Sequence, residues 1–170
     1  MQRELTQVKW VDVVCDTYKP DSLKSYTREC HGEGEALRIS DKTKVPSNWK
    51  SFLRVDTNKC ALFQYLAKKS VAVIDVHADK VFLSTFDNDD LSSCGLDLTD
   101  LRECNHEEAD YRIMLHAKHG KNHGYNRIMI HATDTDVIVL SVAVVSVLQC
   151  ELWVAFGHGK DFRHIPAHAI

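Results

Sequence analysis

The chain lacks the marks of a secreted, membrane-spanning or disordered protein. Its longest apolar run, Val137–Leu148, is 12 residues and contains two serines, whereas a bilayer span needs about 20. The opening stretch, MQRELTQVKW, has no signal-peptide apolar region. Seven glycines and three prolines are too few for a collagen-like or Pro/Gly-rich chain. Neither sign of charge dominates: 21 Lys and Arg stand against 24 Asp and Glu. A polybasic arm and an acidic tail are thereby excluded. Six cysteines, at 15, 30, 60, 94, 104 and 150, form no Cys-x-x-Cys pair. Free thiols in a reducing compartment, nucleus or cytoplasm, fit better than a disulfide frame or a zinc knuckle.

What is present is an ordinary globular composition, 44% hydrophobic over 170 residues, and one domain over 1–170 is expected. Val8–Cys15 is short and β-branched, and reads as a buried strand ending at Asp16. Trp49–Lys69 has no Gly or Pro and spaces its apolar residues as an amphipathic helix after Pro46 and Ser47. His106–His119 reads as a second helix, with Asn105 and Glu108 as a capping-box variant and Gly120 and Gly124 as stops. Arg127–Ala132 and Glu151–Phe156 read as strands flanking a helix that starts near Thr135. Val71–Phe86 is expected to hold one or two strands, Asp87–Asp100 an acidic loop, and 17–48 a mobile excursion. Strands alternating with helices argue for α/β with a mostly parallel sheet.

Carboxylates recur at the strand ends. Asp16 follows one predicted strand, and Asp134 and Asp136 follow another. In an open α/β sheet the carboxyl ends of strands form the ligand crevice. Glu108 and Asp110 fall in the first turn of the helix before the second of these strands, where the macrodipole favours negative charge. At about 4 Å and an effective dielectric near 20, each like-charged pair costs roughly 4 kcal/mol. Convergence of the five therefore requires a cation, and a hard divalent ion such as Mg²⁺ or Mn²⁺ suits oxygen ligands. Two such ions would clamp a phosphodiester for hydrolysis. The bland alternatives are a turn or cap role for the aspartates and a capping-box role for Glu108.

His106-Glu107-Glu108-Ala109-Asp110 and Thr133-Asp134-Thr135-Asp136-Val137 resemble the PIN-like nuclease fold of the flap endonuclease superfamily. That superfamily carries a Glu-x-Glu/Asp pair opening a helix and an Asp-x-Asp pair after the next strand. Val11–Asp16, followed by Pro20 and Leu23-Lys24, resembles the segment in which a strand ends in Asp and leads into a basic arch. The chain also resembles uncharacterised, often transposon-associated animal proteins, through EEADYR (107–112), DTDVIVL (134–140), ELWVAFGHGKDFRHIP (151–166) and KVPSNWKSFLRV (44–55). The resemblance implies a three-layer α/β/α fold with a mostly parallel central sheet. It implies a two-metal nuclease acting on DNA or RNA, with Asp16, Glu108, Asp110, Asp134 and Asp136 as catalytic metal ligands and Glu107 as an alternate for Glu108. The superfamily's first catalytic strand and its late Gly-Cys-Asp-type segment have no counterpart here. A middle piece of such a domain is therefore expected, with weak metal binding. The alternative is a catalytically inactive relic serving as a binding module or without function.

Lys19, Lys24 and Arg28 follow Asp16 and are candidate phosphate contacts, although interleaved acids also suit a solvated face. Arg112 is a candidate phosphate contact or an ion-pair partner of Glu108. His116, His119 and His123 have ligand-like spacing but no nearby cysteine completes a zinc pattern. His131 is expected in the core. Cys15, beside Asp16 and in an apolar strand, reads as an unreactive core thiol. Gly157-His158-Gly159-Lys160 reads as a tight turn without P-loop spacing.

Overall fold

A computed structural model describes residues 7–17, 38–74, 80–87, 89–102 and 109–170. Among them the chain is mixed α/β, with two small mixed sheets and four helices. It divides into two compact units, Met1–Leu98 and Thr99–Ile170.

In the first unit, β1 (Trp10–Val13) pairs in parallel with β2 (Val81–Phe86), and β2 pairs antiparallel with β3 (Asp89–Ser92). Two helices lie between β1 and β2 in sequence: the single turn α1 (Trp49–Phe52) and the long α2 (Asp56–Ile74). The one helix expected over Trp49–Lys69 is thus broken. Asn48 caps α1 by accepting from the Ser51 N–H at 3.0 Å, and the buried Asn58 amide donates to the Phe52 carbonyl at 3.3 Å. The same carbonyl also accepts from the Val55 N–H at 3.3 Å, so two donors close the end of α1, and α2 restarts at Asp56.

α2 also runs on through Val71–Ile74, where a strand was expected. Val71 packs against Phe82, which is fully buried with Val11 and Val13 beside it. Packing against the sheet overrides the β-branched propensity of this run. β3 corrects a second expectation, since Asp89–Ser92 lies in the stretch assigned to an acidic loop. The hairpin supplies what its sequence lacks. Phe86 pairs with Asp89 across a two-residue connection, and Asp87, its first residue, adopts φ 59°, the left-handed conformation that such turns demand. The Ser93 hydroxyl then accepts from the Phe82 N–H at 3.0 Å.

In the second unit, α3 (Ala109–Asn122) precedes a βαβ segment made of β4 (Arg127–Ala132), α4 (Thr135–Leu148) and β5 (Glu151–Phe156). β4 and β5 are parallel, and β6 (Arg163–Pro166) adds antiparallel to β5. The core joins Met114 and Ala117 of α3, Ile130, Val137, Leu148, Leu152 and Ala167. Gly120, expected to stop α3, instead lies within it. Gly124 stops it, at φ 89°. There the Tyr125 N–H bonds the Gly120 carbonyl at 3.1 Å and the Gly124 N–H bonds that of Lys121 at 3.0 Å, the paired bonds of a Schellman stop. Asn105 and Glu108, the expected start of this helix, lie outside the described residues.

β4 exposes Arg127, Met129 and His131 and turns Ile128 and Ile130 toward the core. His131 is therefore on the outer face of its strand, which corrects its assignment to the core. The turn after β5 matches expectation. Gly157 and Gly159 have φ of 89° and 54°, and a Cβ on Gly157 would sit 2.6 Å from the Asp161 carbonyl oxygen.

Candidate functional site

Two strand ends carry the acids, one in each unit. In the first unit, Asp16 lies three residues past β1 and is exposed. Beside it, Cys15, Thr17, Cys60, Phe63, Gln64, Thr85 and Asp87 line a crevice of about 20 Å³, room for about one water molecule. The Cys15 N–H reaches the Thr85 hydroxyl at 3.4 Å, tying the end of β1 to β2. Burial, and then the neighbouring Asp16 carboxylate, push the Cys15 thiol up to about 11. The thiolate is thereby suppressed at neutral pH, in keeping with the inert thiol read from the sequence.

Asp87 is the residue that sequence reasoning missed. It follows the apolar Val81–Phe86 run directly, as Asp16 follows its own run, and the same rule would have found it. Its place at the end of β2 puts a second carboxylate on the crevice that Asp16 lines.

In the second unit, β4 delivers the chain into Thr133-Asp134-Thr135-Asp136. Asp134 is the N-cap of α4, in extended conformation at φ −92° and ψ 137°, and its Oδ1 accepts from the Asp136 N–H at 3.0 Å. The cap role anticipated as the bland alternative is thus real. It engages one carboxylate oxygen. Asp136 lies in the first helical turn, where the macrodipole favours an anion. Both side chains are exposed. Asp110 is half-buried in the first turn of α3.

Arg112 is only 2% exposed and is among the largest fully buried side chains. It shares the buried face of α3 with His116 and His119. The His119 and His123 rings lie 4.4 Å apart, and His123 Nδ1 lies 2.9 Å from the His119 carbonyl. Glu107, Glu108, Lys19, Lys24 and Arg28 lie outside the described residues. Among the described residues, no three His, Cys, Asp or Glu side chains gather as a metal-holding group. Among the described residues, Cys15, Cys94 and Cys150 are free thiols, and no described helix is long and apolar enough to cross a membrane.

At the opposite end of β4 and β5, Arg127 pairs with Glu151 at 2.9 Å. The Trp153 indole N–H also donates to Glu151 at 2.8 Å. These two donors, the indole first, hold the Glu151 carboxyl below its usual range. The charges at this end are neutralised within the strand pair, whereas at the Asp134 end Arg163 lies opposite Phe156, the last residue of β5, with its guanidinium 5.7 Å from the centroid of that ring.

No known family model, curated protein or solved structure matches the chain.

Proposed function

We propose that this chain is a PIN-like, Mg²⁺- or Mn²⁺-dependent phosphodiester hydrolase acting on DNA or RNA. The observation that carries the reading is the course of β4 into exposed Asp134 and Asp136 at the carboxyl end of a parallel strand pair. Supporting it, β1 and β2 form a second parallel pair whose carboxyl ends carry Asp16 and Asp87. The three-layer α/β/α arrangement belongs to the same proposal.

The donors are carboxylate oxygens, which suit a hard divalent cation. Asp134, through the oxygen not used in its cap, and Asp136 would hold an ion. When bound, such ions lower the pKa of water and stabilise a leaving oxygen. The chain's own contribution is positional. The Asp134 cap fixes the carboxylate against the start of α4, and the helix terminus tolerates the clustered negative charge.

A second reading is a binding module without hydrolysis. It is favoured by the structural use of Asp134 as a cap and by the lack of a three-ligand group among the described residues.

The test is cleavage of end-labelled DNA and RNA strands by the full chain in Mn²⁺ and in EDTA. The expected result is Mn²⁺-dependent product that Asp134→Asn/Asp136→Asn abolishes. Cleavage surviving that double substitution, or occurring in EDTA, would overturn the hydrolase reading. Strand binding without any cleavage would establish the second one.

A further inference from the structure

Away from the acidic strand ends, the first unit holds a hollow of about 430 Å³ lined by Ser40, Asp41, Lys42, Tyr65, Lys68 and Lys69. Two distant segments build it. The turn at 40–43 closes on itself, with the Ser40 N–H on the Thr43 hydroxyl at 2.8 Å and the Thr43 N–H on the Ser40 carbonyl at 2.9 Å. Asp41 then fastens this turn to α2. One of its oxygens accepts from the Tyr65 hydroxyl at 2.9 Å and the other from the Lys69 ammonium at 2.7 Å. Both carboxylate oxygens are thus engaged, and the hydrogen bond to Asp41 holds Lys69 in its charged form. Lys68 sits 4.8 Å from the centroid of the Phe86 ring.

Three ammonium groups against one carboxylate give this hollow a positive balance on a chain whose net charge is −3. Local inversion of sign attracts an anion. The lysine stems and the Tyr65 ring add an apolar, partly aromatic lining. The volume falls within the range of about 300–1,000 Å³ typical of small-molecule sites. An inorganic anion would use the charges and leave the ring idle. A ligand that joins an anion to a flat ring uses both.

We propose that this hollow binds a nucleotide, free or as one unit of a single strand, with its phosphate on Lys42 and Lys68 and its base against Tyr65. The proposal needs no hydrolysis and does not rest on the acidic residues.

The experiment is calorimetry of the full chain in EDTA with adenosine monophosphate, inorganic phosphate and a ten-nucleotide single strand. EDTA separates the outcome from that of the metal-dependent reading. Adenosine monophosphate is expected to bind at least about fivefold more tightly than inorganic phosphate, the scale of one base–aromatic stack. Tyr65→Phe keeps that preference and Tyr65→Ala erases it. Lys42→Gln/Lys68→Gln, which spares the Asp41 bonds, weakens both organic ligands about tenfold. It also flattens the salt dependence of strand binding by about 0.7 per lost phosphate contact. A strand that binds more tightly than the mononucleotide marks a nucleic-acid site, and equal affinity marks a free-nucleotide site. The proposal is overturned if the mononucleotide fails to bind at millimolar concentration, if it binds no better than phosphate, or if the double lysine variant binds like the parent chain.

Discussion

Replacing Asp134 separates the two duties assigned to it. As N-cap of α4 it accepts the Asp136 N–H at 3.0 Å, and losing a cap to Ala costs about 1 kcal/mol, within a range of about 0.5–2. For a chain of 170 residues, that lowers Tm by roughly 2–4 °C. Asn caps as well as Asp, so Asp134→Asn keeps the hydrogen bond and gives up only the charge–dipole attraction. This attraction is worth about 0.3–1 kcal/mol at low ionic strength and is screened by salt. Urea unfolding followed by circular dichroism therefore has a defined pattern. In low salt the stability order is parent, then Asn, then Ala. In about 0.5 M salt, where the Debye length falls to a few ångströms, Asn rejoins the parent and Ala stays low. If Asn and Ala are equally destabilised in high salt, the capping account is wrong. If neither is destabilised at any salt, the helix start does not depend on Asp134. Only with this pattern in hand does a loss of metal binding in Asp134→Asn report on chemistry and not on folding.

The remaining predictions concern the framework. Gly157→Ala places a Cβ 2.6 Å from the Asp161 carbonyl oxygen at φ 89°. The left-handed conformation alone costs about 1–2 kcal/mol, so thermal unfolding is expected to shift downward by more than in Gly124→Ala, where the φ is equal but the space is open. Leu152→Ala, at a fully buried core position, is expected to cost about 2–5 kcal/mol in urea unfolding. Iodoacetamide at pH 8 with mass-spectrometric mapping is expected to label exposed Cys94 well before Cys15, whose thiol is pushed up to about 11. For Cys15 the folded value lies above the unfolded value of 9.0. The folded state therefore keeps a proton that the unfolded state loses, and stability falls as pH rises across that window. Cys15→Ser should flatten that fall.

Where local pattern and tertiary context agree, the fold was legible. Arg127–Ala132, the helix after Asp134 and Glu151–Phe156 were all readable, because strand-end acids, a cap and apolar segments set the same boundaries. Where the two conflict, packing decided. Val71–Ile74 is β-branched but continues α2, because Val71 meets buried Phe82. Asp89–Ser92 is acidic but becomes a strand, because the hairpin presents β2 to it. His131 was misplaced by treating a strand as uniformly buried. The alternation of Ile128 and Ile130 already put it on the other face. Gly120 carries a helix signal that Gly124, with its positive φ, fulfils. Asp134 was legible both as cap and as candidate ligand, whereas Asp87 was hidden in a stretch assigned to a loop. The groove fastened by Asp41 had no signal in sequence, since its two segments lie 24 to 28 residues apart and meet only through side-chain hydrogen bonds.

The most direct measurement of the central proposal is the heat of Mn²⁺ titration into the full chain and into Asp134→Asn/Asp136→Asn, both shown to be folded. The parent is expected to give saturable heat and the double variant none at millimolar Mn²⁺. Equal heats from the two proteins, or none from the parent, would contradict the assignment of these aspartates to a metal site.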